Sequence, residues 1–202
     1  METISIFVDG AFSSGKTEFI RAISEIEVVS VEPIKKDPSK LSPSLDFGRL
    51  TIDDGCVLYF YGRSGSARML LIEDPNFLQK HRHHCGLIGV VDSVYFEHIQ
   101  TYSTNRPTDT FIKDHAAIAG IHTIRKRELP FLLVASKQDK EGARSVEEMR
   151  EVLQLDDNVK LLPCSAKTDP VGVYRAVREL LTMLPQDELV KRAVDRLDGM
   201  IG

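Results

Sequence analysis

The sequence predicts an α/β layer structure: a mostly parallel sheet of about six strands with one antiparallel strand, helices on both faces, and an extra helix at the C-terminus. Three observations carry that prediction. Short apolar runs rich in β-branched residues alternate with segments whose apolar residues recur at helical spacing, the pattern of a parallel sheet covered by helices. The first such run passes directly into a loop bounded by glycines, Gly10 to Thr17, and then into a helix. One hairpin turn, Asp53-Asp54-Gly55, breaks the alternation near the start and makes one strand antiparallel.

Thr3 to Val8 alternates and is the first strand. After the loop, Glu18 to Ile26 places Phe19, Ile20, Ile23 and Ile26 at helical spacing. Pro33, Pro38 and Pro43 fall within residues 27 to 45 and predict a loop without regular structure. Phe47 to Ile52 and Cys56 to Tyr61 are the two strands of the hairpin, with Gly55 tolerating the positive φ such a turn requires. Gly62-Arg63-Ser64-Gly65-Ser66 ends the second of them, and a helix-capable stretch runs on to about Gln79. Gly86 to Val91 is a short apolar strand, Thr108 to Arg127 a helix, and Phe131 to Ala135 another buried strand. Ser145 to Leu155 is a helix opened by a capping box, Ser145 with Glu148. Val159 to Pro163 is the last strand, and Val171 to Leu184 the helix packed beside it. Beyond Pro185, residues 186 to 201 place Leu189, Val190, Ala193, Val194, Leu197 and Met200 or Ile201 on one stripe. The expected organisation is one domain over residues 1–184 and a C-terminal amphipathic helix over residues 185–202.

Composition excludes several classes of function. The chain has 202 residues, 42% of them hydrophobic, which suits one well-packed domain. A net charge of −4 gives no electrostatic reason to expect nucleic acid or an anionic membrane surface as partner. No apolar run approaches the roughly 20 residues that cross a bilayer. The N-terminus lacks the features of a signal peptide, and neither end carries a lipidation motif. Cys56, Cys85 and Cys164 are scattered and odd in number, the pattern of reduced thiols. The expectation is a cytoplasmic protein with no direct membrane anchor.

Chemistry concentrates in three segments. Gly10-Ala11-Phe12-Ser13-Ser14-Gly15-Lys16-Thr17 has the Gly-x4-Gly-Lys-Thr spacing of a phosphate-binding P-loop. Gly10 and Gly15 let backbone amides, those of Ser13 and Ser14 among them, curl around a phosphate at a helix N-terminus. Lys16 supplies a mobile cation for the β and γ phosphates, and Thr17 a hydroxyl ligand for magnesium. Ser136-Lys137-Gln138-Asp139 and Cys164-Ser165-Ala166-Lys167 each follow a parallel strand, at the sheet edge where such folds place ligands. The Asp139 carboxylate can accept both donors of the guanine Watson–Crick edge, an edge adenine does not offer. The Lys137 stem can lie over the purine ring, and the Ala166 amide, flanked by Ser165 and Lys167, can donate to the guanine carbonyl.

Over residues 3 to 184 these motifs resemble those of the Ras-like small GTPases. The stretch Asp46-Phe47-Gly48-Arg49-Leu50-Thr51, followed by Leu58-Tyr59-Phe60-Tyr61-Gly62, is similar more narrowly to the bacterial MglA-like and conservon-type GTP-binding proteins. The resemblance implies a P-loop NTPase fold of the Ras-like G-domain type. It also implies GTP or GDP with Mg2+ as cofactors, hydrolysis of GTP to GDP and phosphate, and a roadblock-domain regulatory partner.

Several positions depart from that family. Ser136 stands where an asparagine is usual, which lowers the expected affinity for guanine. The switch I threonine, judged from its distance to Asp46-Phe47, falls on Ser42 as a second hydroxyl for the metal, with Ser39 and Ser44 as rivals. In switch II the usual Asp-x-x-Gly-Gln reads Gly62-Arg63-Ser64-Gly65-Ser66. The aspartate that orients a magnesium-bound water is missing. Gly65 keeps an amide that can detect a γ-phosphate, and Ser66 is too short to position water. With Lys16, Gly65 and Ser66 left at the γ-phosphate, intrinsic hydrolysis is expected to be slow. Phe12 is bulky where the loop is usually small and could block an arginine finger. Arg63 and Arg68 are candidates in cis, with solvent or partner contacts as their plainer role. Two other readings stay open: a pseudo-GTPase scaffold that binds without turnover, and an ATP-using P-loop enzyme, for which no arginine-rich lid segment is evident.

His81-Arg82-His83-His84-Cys85 has the composition of a metal site but no second cluster at ligand spacing, so a solvated turn is expected. Asp92 is expected to brace loops, and His115 and His122 to be half-buried core residues. The stripe from Leu189 to Ile201 could dock within the chain or on a partner; its mixed polar face argues against membrane.

Overall fold

Alternation and β-branching make residues Glu2–Asp9 a strand, β1, and six of its eight residues are buried. The computed structural model describes residues 1–11, 13–31, 45–63, 84–94 and 129–202. Within them β1 is followed by helix α1 (Lys16–Ile23), strand β2 (Val29–Val31), strands β3 (Leu45–Asp53) and β4 (Cys56–Arg63), and strand β5 (Cys85–Asp92). Then come strand β6 (Phe131–Ser136), helix α2 (Val146–Leu153), strand β7 (Leu161–Pro163), helix α3 (Pro170–Leu181) and helix α4 (Glu188–Ile201). The sheet has seven strands in the order β2-β3-β4-β1-β5-β6-β7. β1 lies parallel between β4 and β5, and β6 and β7 continue the parallel part. β3 pairs antiparallel with both β2 and β4, so it is the one described strand that runs against the rest.

The seventh strand corrects the sequence reading of residues 27 to 45 as loop throughout. Val29, Ser30 and Val31 pair with Phe47, Asp46 and Leu45. Three residues are too few to show a period, and their conformation comes from the neighbouring strand. Helix α1 also stops earlier than predicted. Ser24 turns extended (φ −77, ψ 130), while its N–H still caps the Ile20 carbonyl. The Ser24 hydroxyl accepts from Arg49 N at 3.1 Å, and Ile26 is left exposed. The hairpin turn differs too. Gly55 is not among the residues with positive φ; instead its N–H is held by Asp53 Oδ1 at 2.7 Å, and a register shift between Thr51 and Asp53 absorbs the bend. The helices predicted up to Gln79 and over Thr108 to Arg127, with His115 and His122, lie outside the described residues.

The strand period of two divides the core. Ile4, Ile6 and Val8 of β1 face one side, where Phe19, Ile20 and Ile23 of α1 and Val173, Ala176, Val177 and Leu180 of α3 cover them. On the other side Met149 of α2 packs against Val91, Leu133 and Ala135, and Phe7 joins Leu87 and Leu129. Helix α2 carries the predicted capping box, Ser145 and Glu148 each accepting from the other's backbone. The C-terminal stripe docks within the chain. Leu189, Val190, Ala193 and Leu197 of α4 are buried in the same cluster as α3. Asp187 caps this helix and takes His84 Nε2 at 2.6 Å, while Arg178 and Arg192 pair with Asp198 and Asp53 at 2.9 and 3.0 Å.

Candidate nucleotide-binding site

The loop between β1 and α1 is shaped by its glycines. Gly10 has φ 153, and a Cβ there would fall 2.3 Å from the Val90 carbonyl oxygen and 2.7 Å from Ser14 Oγ. Gly15, the N-cap of α1, has φ 105. No side chain caps this helix, so its first-turn amides and its dipole are available to an anion. The buried Lys16 ammonium donates to the carbonyls of Gly10 and Ala11 at 2.9 and 2.6 Å, which holds it along the loop.

Thr17 and Lys16 open on a cavity of about 410 Å3, whose far end is formed by Lys137, Asp139, Ala166 and Lys167. Ser13, Gly15 and Ser136 also line it. Gly10, Ser14 and Ser165 do not. Gly10 and Ser14 shape the loop from beneath, and Ser165 bridges to Asp169 and faces a neighbouring groove. The Gly10–Thr17 loop and the loops after β6 and β7 are stitched together. Ser136 Oγ donates towards the Ser14 carbonyl at 2.6 Å and the Val91 carbonyl at 3.1 Å, so the serine keeps a bond to the Gly10–Thr17 loop. Gln138 N donates to the Cys164 carbonyl at 3.2 Å, and Cys164 N to Ala135. Asp92 braces the end of β5, as expected: its Oδ1 accepts from Val94 N at 2.9 Å and its Oδ2 meets Lys137 Nζ at 2.5 Å.

A residue that the sequence reading used only as a landmark, with no role at the site, lies beside Thr17. The Thr17 hydroxyl donates to Asp46 Oδ2 at 2.5 Å, and Asp46 is 9% exposed. Asp46 pairs across the strands with Gly62. A Cβ at Gly62 would stand 2.5 Å from Ile20 Cδ1 and 3.1 Å from Asp46 Cβ. The carboxylate enters from β3, beside the glycine of β4. A hydroxyl beside a carboxylate is a hard-oxygen donor set that fits magnesium. The signal in the sequence was an acidic residue at the head of a mixed polar and apolar strand, readable only once the register with β4 is known.

Arg63 is the last residue of β4. Phe12, Ser42, Gly65, Ser66 and Arg68 lie outside the described residues, as do the alternatives Ser39 and Ser44 and the histidines His81 and His83. Of the remaining pair in that cluster, His84 is bonded to Asp187 and Cys85 is buried in β5.

By sequence the chain matches no protein-family model and no curated protein. Solved structures do match. The Arl6 (BBS3) small GTPase from Trypanosoma brucei, with the bound nucleotide analogue GppNp, aligns at a TM-score of 0.55 over 90% of this chain and 97% of that one, at 16% identity. The fold is that of a small GTPase. This likeness reaches the Ras-superfamily fold and does not single out the MglA-like or conservon-type proteins. Among the described residues no helix is long and apolar enough to cross a membrane.

Proposed function

We propose that this chain is a guanine-nucleotide-binding switch of the small GTPase type that hydrolyses GTP slowly to GDP and phosphate. The observation that carries the reading is the convergence on one cavity of an uncapped helix N-terminus, with Lys16 and Thr17, and of Asp139, Ala166 and Lys167 from two later loops. Phosphates would be held by Lys16 and by the amides of Gly15 and the first turn of α1, in a loop that Gly10 and Ser14 shape, and the guanine edge by Asp139. Ser136, Lys137, Ser165, Ala166 and Lys167 would frame the base. Asp139 is exposed, which suits a group that must meet a ligand.

Magnesium bound there would neutralise phosphate charge. Thr17 and Ser42 would be its protein hydroxyls, and Asp46 would orient the Thr17 hydroxyl through the bond it already makes. Gly65 and Ser66, with Lys16, would be the residues nearest the γ-phosphate, and without a long amide side chain among them water is poorly positioned. The G domain is taken to span residues 1–184, with residues 185–202 as an appended helix. A roadblock-domain protein as regulator, and a cytoplasmic location, rest on family resemblance and composition alone.

Single-turnover hydrolysis of GTP, with and without magnesium and with and without a roadblock-domain protein, tests this reading. Slow, magnesium-dependent release of phosphate is expected. Tight binding with no turnover in any of these settings would instead make the chain a pseudo-GTPase scaffold.

A further inference from the structure

We propose that Asp92 is a positioning residue for the purine base and acts through Lys137. This rests on the guanine-nucleotide reading above. Asp92 ends β5 with its side chain 3% exposed, and its Oδ2 holds Lys137 Nζ at 2.5 Å. Its other oxygen accepts from Val94 N at 2.9 Å, so the carboxylate cannot turn away without breaking that turn. The next residue holds the opposite end of Lys137. The Ser136 carbonyl, part of the peptide that enters Lys137, accepts from both Ser93 Oγ at 2.5 Å and Ser93 N at 3.2 Å.

Between these tethers Lys137 has φ 61. A residue with a Cβ seldom takes that conformation and keeps it only where its surroundings over-determine it. The four-carbon stem is thus fixed at both ends, along the cavity that Asp139 also lines. A lysine free to rotate would have to be ordered when a base docked, and that ordering weakens binding. Asp92 has ordered it beforehand.

Dissociation of fluorescent GDP, read beside competition by pyrophosphate, separates base positioning from a mere brace. Asp92→Asn keeps an acceptor for Val94 and removes the charge that holds Lys137. It is expected to weaken GDP about tenfold, through faster release, while pyrophosphate, which has no base, competes as it does with the unaltered protein. Lys137→Met should lose as much, and the double variant should bind no more weakly than Lys137→Met. Equal weakening of GDP and pyrophosphate, or losses that add in the double variant, would overturn the proposal. If Asp92→Asn does not fold, Lys137→Arg against Lys137→Met decides: arginine keeps a cation for Asp92 and should retain GDP, and equal affinities would overturn the idea. An unaltered protein that ignores GDP would instead remove the nucleotide reading itself.

Discussion

Gly62 and Asp46 face one another across the β3–β4 pair, where a Cβ at Gly62 would crowd Asp46 Cβ at 3.1 Å, and the Asp46 carboxylate reaches Thr17. The glycine on one strand and the acidic residue on the next thus belong to a single local arrangement. In the proposed function this arrangement would complete the metal side of the site from β3.

Asp46→Ala is therefore expected to speed GDP release in magnesium about tenfold, the effect of losing a charge-assisted bond to the Thr17 hydroxyl. In EDTA the variant and the unaltered protein should release GDP alike. Release rates of a fluorescent GDP in both media check this, and a difference that persists in EDTA would speak against a metal-side role.

Gly62→Ala should destabilise the fold by about 1–3 kcal/mol, because the added methyl meets Ile20 Cδ1. Ile20→Val deletes that atom and costs about 0.5–1.5 kcal/mol alone. In the double variant the two losses should not add. Urea unfolding of all four proteins measures the coupling.

The C-terminal helix is held by its apolar stripe more than by its charges. Leu197 is fully buried, and Leu197→Ala is expected to cost about 2–5 kcal/mol. Arg178, which pairs with Asp198 at an exposed site, should cost under about 1 kcal/mol on change to Ala. The same unfolding assay ranks them, and the reverse order would mean that α4 is docked by ion pairs.

Stability should fall on both sides of neutrality. Burial pushes the Cys85 and Cys164 thiols up to about 12 and Cys56 up to about 11. Their contribution is whole below the usual thiol range of about 8.5 and is lost as pH rises toward those values. The lysine bond from Lys160 holds the Glu179 carboxyl below its ordinary range, and the Val190 amide, then His84, do the same for Asp187. Those two contribute above about pH 4 and lose it as pH falls through their lowered values. Melting temperature against pH should be flat in between, and at pH 8 iodoacetamide should label the thiols only after unfolding.

What could be read beforehand was whatever depends on neighbours along the chain. Gly10 and Gly15, the Ser145 capping box and the loops after β6 and β7 announce themselves by spacing, and the elements that carry them form where expected. What depends on pairing between distant segments could not be read. Val29–Val31 is a strand only because β3 lies beside it, and Asp46 faces Thr17 only because of the β3–β4 register. Ser136 is an intermediate case: its departure from the usual asparagine was plain, but the bond it keeps to Ser14 needed the loop in three dimensions.

The central claim, that Asp139 and the phosphate loop grip one guanine nucleotide, is tested most directly by competition. Fluorescent GDP bound to the purified protein in magnesium should be displaced by unlabelled GDP and resist ADP at about a hundredfold excess over it, because adenine leaves the Asp139 carboxylate without its two donors, a mismatch that costs more than that factor. Equal displacement by both, or no binding of the probe, would contradict the account.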